Sequence, residues 1–392
     1  MYLSEIKRQY VGQKLSLLIR CVVLALCVYS TSAQSVSSQS FNIPAPQSRA
    51  MSSESTAVDN AVILMYHNVS DTTSPSTSVT PATFKKHMQY LQDNQFTVWS
   101  LSRTLTYLTA GKPLPPKTVV LTFDDAYNSV YSEVFPLLKE KGWPFTVFVT
   151  TQYIDEAYAN FMSWKQLREI QKFGGEIGNH SRSHAHLIRT LSSETNEQWR
   201  LRIMNEVTQA QSILQQQIGT PIRVFAYPYG EYSKDVKSIL RELGYFALGQ
   251  QSGVASSVSD FQAIPRFPFA IGYDELSEFA LKISTKALPV TVLSPSDGVL
   301  NKNSQIPELK LRLNAGDYKK INLACYASGQ GRIQLEWLDK DMGMVKVRAN
   351  ESLKPGRTKY NCTAPSKTDN NVHYWFSFLW MKPEADGSWY RE

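Results

Sequence analysis

The sequence predicts an α/β domain, in which a parallel sheet covered by helices closes or nearly closes into a barrel, followed by a small all-β sandwich. Two observations predict this order. Strand and helix patterns alternate from residue 61 to residue 285, and short runs that alternate with period two replace them after residue 308. At 392 residues the chain is long enough for two domains. We expect them at 59–289 and 308–392, joined by a proline-containing linker at 290–307.

The first domain is expected to begin with an apolar strand at 61–66, and a second buried strand at 119–123 runs directly into two aspartates. Further strands are expected at 145–149, 176–180, 222–227, 245–248 and 263–267. Helical spacing predicts helices at 83–93, 101–109, 131–141, 163–173, 193–217, 233–243 and 273–285. Because such strands are parallel, polar residues that follow them should meet at one rim, where α/β barrels place their active sites.

The second domain has short alternating runs that are separated by turn residues, as in a β-sandwich. The expected strands are 309–313, 321–325, 333–337, 344–347 and 374–380. Cys325 and Cys362 are expected to form a disulfide, since an even pair in an exported chain is typical of one. The tryptophans of this domain, at positions 337, 375, 380 and 389, allow two interpretations, sugar binding or core packing, with Trp337 packed against the disulfide.

Residues 1–33 have the pattern of a secretory signal peptide: a basic start, an apolar run at 21–28 and small residues up to Ala33. The apolar run is short for a membrane span, so we expect an exported protein, periplasmic, secreted or associated with the envelope, with no integral span in the mature chain. Residues 34–58, rich in Ser and Gln, predict a flexible linker. Removal of residues 1–33 lowers the formal net charge from +7 to +4, and no dense basic run indicates nucleic-acid binding.

Three predicted strand ends carry polar residues: Thr122-Phe-Asp-Asp125, His180-Ser-Arg-Ser-His184 and Tyr227-Pro-Tyr-Gly230. Two adjacent carboxylates after a buried strand need a cation or hydrogen bonds to stay charged. Two imidazoles and one carboxylate leave open positions on a metal such as zinc, and the other carboxylate can then accept a proton from water. Singly, each pattern also occurs by chance; their order on three strand ends favours a catalytic metal site.

Taken together, Thr122-Phe-Asp-Asp125 and the segment Asn179-His-Ser-Arg-Ser-His-Ala-His-Leu187 resemble the NodB-homology polysaccharide deacetylases, carbohydrate esterase family 4. The resemblance covers about residues 61–288 and implies a distorted (β/α) barrel of the NodB type. The segments Met65-Tyr-His-Asn68 and Phe225-Ala-Tyr-Pro-Tyr-Gly-Glu-Tyr232 resemble in particular the branch that deacetylates poly-β-1,6-N-acetylglucosamine of biofilm matrix.

The resemblance implies a role for each matching residue. Asp124 would be the general base, and the backbone N–H of Tyr229 would bind the oxyanion. Asp125, His180 and His184 would hold a divalent metal, with Zn²⁺ expected and Ni²⁺, Co²⁺ and Fe²⁺ as alternatives.

The sequence departs from the family pattern at two positions. The late Leu-x-His that supplies the general acid is absent, so His67, at the end of the first strand, becomes the expected acid. The usual arginine of the family's Arg-Pro-Pro-Tyr-Gly segment is replaced by Ala226, so Arg266 is expected to orient the carboxylate, with a surface arginine as the alternative.

Two further histidines and several aromatic residues also lie in the first domain. His87 is expected at the surface of a helix, and His186 is either a substrate contact or a plain loop histidine. Aromatic side chains that could stack on sugar rings follow the motifs at Tyr127, Trp164, Tyr229 and Tyr232.

The sequence thus predicts a hydrolase that removes acetyl groups from an N-acetylglucosamine polysaccharide, with poly-β-1,6-N-acetylglucosamine as the expected substrate. A peptidoglycan or chitin deacetylase is the alternative within the same chemistry. A catalytically degenerate carbohydrate-binding module is the alternative of another class. A two-metal nuclease or phosphatase fits poorly, because there is no second carboxylate cluster.

Overall fold

The computed structural model describes residues 60–304 and 306–391. The expected signal peptide at 1–33 and the expected linker at 34–58 lie outside these residues. Among the described residues, no helix has the length and apolar character that crossing a membrane requires.

A mixed, curled sheet forms the centre of the first domain. Its strands run in the order β10-β1-β5-β6-β7-β8-β9, with β11 paired to β1 and β4 paired to β5, and every pair except β1 with β10 is parallel. The strands of this domain, including the separate pair β2 and β3, are β1 (Asn60–Tyr66), β2 (Asn68–Val69), β3 (Ser78–Val79), β4 (Thr97–Val98), β5 (Thr118–Phe123), β6 (Thr146–Val149), β7 (Glu176–Asn179), β8 (Val224–Ala226), β9 (Phe246–Leu248), β10 (Ala255–Ser256) and β11 (Phe267–Pro268).

Helices follow most of these strands and cover the sheet, as parallel connections require. They are α1 (Pro81–Asp93), α2 (Leu101–Thr109), α3 (Phe135–Lys141), α4 (Thr151–Asp155), α5 (Trp164–Lys172), α6 (Asn196–Ile218), α7 (Lys234–Glu242) and α8 (Leu276–Ile283). Capping decides several starts: Ser163 and Thr195 each form a capping box with the glutamine three residues later. The fold is the expected distorted (β/α) barrel.

The core of the first domain lies on both faces of the sheet. β5 is buried along its whole length, which explains why its sequence is a continuous apolar run rather than an alternating one. The expected strand at 263–267 is shorter than predicted: Ile264 forms only an isolated bridge to Leu248, and β11 begins at Phe267. The expected helix at 273–285 forms over α8 alone.

Two sheets make up the second domain, which is the predicted β-sandwich. One has the order β12-β20-β19-β15-β16 and the other β13-β14-β18-β17. The strands are β12 (Lys286–Ala287), β13 (Val290–Ser294), β14 (Glu308–Leu313), β15 (Ala324–Ala327), β16 (Gly331–Arg332), β17 (Gln334–Asp339), β18 (Met344–Arg348), β19 (Gly356–Pro365) and β20 (His373–Lys382). In β14 every second side chain is buried, which is the predicted period-two pattern.

The expected linker at 290–307 is wrong in its first part, because residues 290–294 form β13 and pair with β14. β12 joins the sandwich still earlier, through its pairing with β20. Trp375 of β20 also packs edge-on against Phe267 of the barrel, with the ring centroids 5.4 Å apart. We therefore propose that the second domain begins at Lys286, directly after the last barrel helix.

Cys325 and Cys362 form the expected disulfide. They are directly opposed on β15 and β19, so the bond joins two neighbouring strands of one sheet and both cysteines are buried. In a sandwich whose disulfide bridges the two sheets, a central tryptophan packs against it. Here Trp337 lies on the other sheet and packs, partly buried, against the general core.

Candidate active site

The rim of the barrel brings the predicted site residues together, and strand register sets their positions. β1 and β5 pair with Tyr66 opposite Phe123, so His67 and Asp124 leave neighbouring strands at the same level. The backbone N–H of Asp124 donates to the carbonyl of Tyr66 over 2.9 Å. β6, β7 and β8 are aligned in the same direction, which places the residues after β7 beside those after β8.

Asp125, His180 and His184 form a compact cluster at this rim. The Nε2 atoms of both histidines lie 3.3 Å from Oδ1 of Asp125. One ligand atom from each of the three side chains lies within 4.8 Å of the others. The Nδ1 atom of His180 donates to the carbonyl of Ala226 over 2.8 Å, which leaves Nε2 as the lone-pair nitrogen that faces the cluster.

These three residues fit a divalent cation. Oδ1 of Asp125 and Nε2 of His180 are buried and have no hydrogen-bond partner among the described residues, which is costly unless a cation lies between them. Burial raises the pKa of Asp125, but the two adjacent imidazoles outweigh it and hold that pKa well below its usual range. An ionised carboxylate with two imidazoles is a donor set that suits zinc and leaves open positions.

Backbone strain is concentrated at the cluster. Asp125 (φ 72°), Ala126 (φ 62°), Ser181 (φ 65°) and His184 (φ 58°) all adopt left-handed conformations without being glycine. Each such residue costs about 1–3 kcal/mol, and the surrounding structure must offset it. The hydroxyl of Ser181 accepts a hydrogen bond from the backbone N–H of His184 over 2.9 Å, which helps to hold the turn that aims His184 at Asp125.

Asp124 is fully buried beside the cluster and forms a two-pronged ion pair with Arg266. The Nη1 and Nη2 atoms of Arg266 lie 2.7 Å from Oδ1 and Oδ2 of Asp124, and both side chains are inaccessible to solvent. Burial raises the pKa of Asp124, but the guanidinium of Arg266, with His180, lowers it below its ordinary value. Arg266 therefore contacts the carboxylate for which it was proposed and is not a surface residue.

Tyr229 borders the cluster at His184. It adopts a left-handed conformation, with φ 59° and ψ 1°, between Pro228 and Gly230. Its ring centroid is 4.4 Å from that of His184 and 3.7 Å from that of His186, and the His186 ring is stacked parallel on it. The sequence-predicted oxyanion donor thus adjoins the metal-binding histidines.

Residues 111–248 of the chain match the family model described as polysaccharide deacetylase. This stretch contains Asp124, Asp125, His180, His184 and Tyr229. The chain contains a polysaccharide deacetylase domain.

Among curated proteins, the chain is similar to poly-beta-1,6-N-acetyl-D-glucosamine N-deacetylases. The protein of Escherichia coli (strain K12) is 28% identical over 311 residues, which cover 69% of this chain and 44% of the relative. The protein of Staphylococcus aureus (strain MRSA252) is 26% identical over 196 residues, which cover 48% of this chain and 67% of the relative. The chain therefore spans less than half of the length of the Escherichia coli relative.

Solved structures share the fold of the deacetylase domain. The de-N-acetylase from Aggregatibacter actinomycetemcomitans superimposes with a TM-score of 0.52 at 21% identity, over 57% of this chain and 100% of that chain. IcaB from Ammonifex degensii superimposes with a TM-score of 0.51 at 23% identity, over 57% of this chain and 97% of that chain.

His67 directly follows β1, on the strand next to the one that leads into Asp124. It is partly exposed at the end of β1, and its charge affects the pKa of both Asp124 and His184. It therefore lies near both of these residues. Its role as proton donor stays a prediction.

The aromatic side chains expected near the motifs divide into two groups. Tyr127 stacks on Phe161 with a centroid distance of 4.8 Å, and burial, followed by the carboxylate of Asp125, raises the pKa of its hydroxyl. Trp164 donates to Asp155, and Tyr232 packs against Tyr227. Tyr127 and Tyr229 therefore border the metal-binding cluster, whereas the contacts of Trp164 and Tyr232 lie with other residues.

The prediction that His87 lies at a helix surface is wrong. The side chain is fully buried, its Nδ1 contacts the Tyr66 hydroxyl at 3.0 Å, and its Nε2 donates to the carbonyl of Asp274 over 2.8 Å. α1 is turned so that this histidine joins its apolar residues against the barrel core. A single histidine among apolar positions gives no sign of which side it belongs to.

Three site residues were missed by sequence reasoning. Glu231 is fully buried behind Tyr229, and its Oε2 lies 2.8 Å from Nδ1 of His186. Arg357 and Tyr390, both from the β-sandwich, contact the same carboxylate. Glu231 stands within the quoted Tyr-Pro-Tyr-Gly-Glu-Tyr segment and could have been noticed there. No local pattern indicated Arg357 and Tyr390, because both lie more than 120 residues from Glu231 in the sequence.

Proposed function

We propose that this protein is a metal-dependent N-deacetylase that hydrolyses the acetamide groups of an N-acetylglucosamine polysaccharide, with poly-β-1,6-N-acetylglucosamine of biofilm matrix as its substrate. One observation carries the chemistry: a fully buried, arginine-paired Asp124 lies beside an Asp-His-His cluster. The names of the curated relatives support the choice of substrate.

Asp125, His180 and His184 would hold the cation, for which their donor set favours Zn²⁺ over Ni²⁺, Co²⁺ or Fe²⁺. Such a cation supplies Lewis-acid activation of water and of the acetamide carbonyl. The site has one metal-binding cluster among the described residues, so it does not resemble a two-metal phosphatase centre.

Asp124 is the proposed general base. Its ionised form is maintained by Arg266, and ionisation is what a base needs before it can take a proton from water. Both prongs of the guanidinium bind it, so the carboxylate is fixed in orientation as well as in charge. Asp124 and Asp125 are thus adjacent in sequence and differ in role because their partners differ.

His67 is the proposed general acid. The leaving amine must gain a proton, and an imidazole is the side chain whose ordinary pKa lies nearest neutrality. The backbone N–H of Tyr229 would donate to the oxygen on which negative charge develops. His67 follows β1 and Tyr229 follows β8, so the two groups would approach a bound substrate from different strands.

The N-terminal pattern supports export, so we further propose that the enzyme acts in the periplasm or outside the cell. Its polymeric substrate would be found there. Detection of the mature chain in a periplasmic or culture-medium fraction, with its new N-terminus at residue 34, would support this location.

Release of free acetate tests the proposal. The purified protein should release acetate from oligomers of poly-β-1,6-N-acetylglucosamine faster than from chitin oligomers or peptidoglycan. A chelator should abolish release, and added Zn²⁺ should restore it. Faster release from chitin or peptidoglycan would show that the proposed substrate is wrong, while the proposed deacetylase chemistry would stand.

Asp124→Asn is the matched control, because the amide is nearly the same size and lacks the charge that accepts a proton. The variant should bind the same oligomers without releasing acetate. Wild-type protein that binds oligomers, contains metal and releases no acetate would indicate a degenerate binding module and refute the proposal.

A further inference from the structure

We propose that the β-sandwich takes part in catalysis: its residues Arg357 and Tyr390 position Tyr229, the proposed oxyanion donor. This inference rests on the proposed function. It assigns the second domain a role in turnover, whereas its tryptophans suggest only sugar binding or core packing.

Arg357 holds the backbone of Tyr229 directly. It is the second residue of β19, and its Nη1 donates to the carbonyl oxygen of Tyr229 over 3.0 Å. Tyr229 is in a left-handed conformation, which is unfavourable for residues other than glycine. Contacts from neighbouring residues must therefore stabilise its backbone. Because the carbonyl and the N–H of Tyr229 flank the same Cα, fixing the carbonyl limits the directions in which the N–H can point.

The ring of Tyr229 is held by a second route that also reaches the β-sandwich. His186 stacks on it with an interplanar angle of 6°, and the Nδ1 of His186 lies 2.8 Å from Oε2 of Glu231. The other oxygen of Glu231 accepts the hydroxyl of Tyr390. One carboxylate therefore links the ring that supports Tyr229 to the end of the second domain.

Charge makes this link costly to break. Glu231 is inaccessible to solvent, and burial alone would raise its pKa, but His186 and Tyr390, together with Arg189, lower that pKa and keep the carboxylate ionised. Arg357 lies 3.7 Å from the same carboxylate. A buried carboxylate that loses a partner must either be neutralised or recruit another, and either change would shift the groups that pack on Tyr229.

A sugar-binding domain and a positioning domain predict different kinetics. Loss of a distant sugar contact weakens binding of long chains and raises KM with kcat unchanged. Loss of a group that positions an oxyanion donor lowers kcat, because that donor acts on charge that develops in the transition state.

The experiment measures kcat and KM for acetate release from a short oligomer and from the long polymer, together with bound metal. Arg357→Met should lower kcat at least tenfold on both substrates, with KM within about twofold and metal content unchanged. Arg357→Lys should restore part of the loss, since an ammonium can still donate to the carbonyl. Tyr390→Phe should also lower kcat. Arg332→Met, at an exposed position in β16 of the same sheet, is the matched control and should behave as wild type.

Two results would overturn the inference: an Arg357→Met variant with wild-type kcat, or a rise in KM confined to the long polymer. If Arg357→Met fails to fold, Arg357→Lys and Tyr390→Phe take its place, and unchanged kcat in both overturns the inference equally. A wild-type protein that releases no acetate from any of the glycans would instead refute the proposed function on which the inference rests.

Discussion

His87 should make the stability of the protein sensitive to acid. Its side chain is buried between β1, α1 and α8, where its ring stacks on Phe279 with the centroids 4.0 Å apart. Both ring nitrogens are engaged, one by the Tyr66 hydroxyl and the other by the Asp274 carbonyl. Burial lowers its pKa from 6.5 to about 4, although Asp274 acts in the opposite direction.

The sign and size of the effect follow from this pKa. The folded state resists protonation of His87 and the unfolded state does not, so the unfolded chain binds more protons between about pH 6.5 and pH 4. The contribution to stability is fully present above the unfolded pKa and is lost as the pH falls through this window. Integrated from pH 7.5 to pH 4.5, the loss is about 2.5 kcal/mol.

Urea unfolding at pH 7.5 and pH 4.5 measures this loss, with His87→Gln as the comparison. Glutamine can still donate to the Asp274 carbonyl and accept from Tyr66, but it does not titrate. The wild type should lose about 2.5 kcal/mol more than the variant between the two pH values, since acid effects on other groups are shared. Equal losses in both proteins would refute the assignment of a depressed pKa to His87.

Four further results are expected from the site and the disulfide. His184→Ala should lose most of its bound metal, because one of three ligands is removed; full stoichiometric metal in elemental analysis would contradict that role. Asp124→Asn should keep its metal and lose turnover about a hundredfold or more, and retained acetate release would mean that the two aspartates share the role of base. His67→Ala should lower turnover at least tenfold with metal retained, whereas wild-type turnover would exclude it as the acid. Replacing Cys325 and Cys362 by serine should lower the free energy of unfolding by about 3–4 kcal/mol, as measured by denaturant titration, and an unchanged midpoint would contradict the chain-entropy argument.

The barrel was predictable from the sequence because parallel strands buried on both faces leave a strong signal. The run at 119–123 is wholly apolar, and the two aspartates that follow it mark the rim. β19 was missed for the opposite reason. Its buried face consists of Thr358, Tyr360, Cys362 and Ala364, of which only Tyr360 has a large side chain, so the period-two pattern lacks the bulky aliphatic residues that mark a strand, although it is a ten-residue strand.

The site divides in a similar way. The aspartates and histidines proposed as base and metal ligands stand within five residues of a strand end, so local sequence was enough to propose them. Their geometry depends on left-handed backbone at residues such as Asp125 and His184. Neither residue is a glycine, so the sequence did not indicate this conformation. Two partners of Glu231, Arg357 and Tyr390, come from the other domain, and contacts between residues so distant in sequence leave no local pattern.

Only two residues connect α8 of the barrel to β12 of the sandwich, which limits how the deacetylase domain can be prepared in isolation. The backbone N–H of Ala287 in β12 donates to the side chain of Asn60 in β1, and Trp375 of β20 packs against Phe267 of β11. A chain cut at residue 289 would leave this aromatic surface open to water and would separate β12 from the strand that it pairs with. We expect such a fragment to aggregate on expression, so the two domains are best produced together as a single polypeptide.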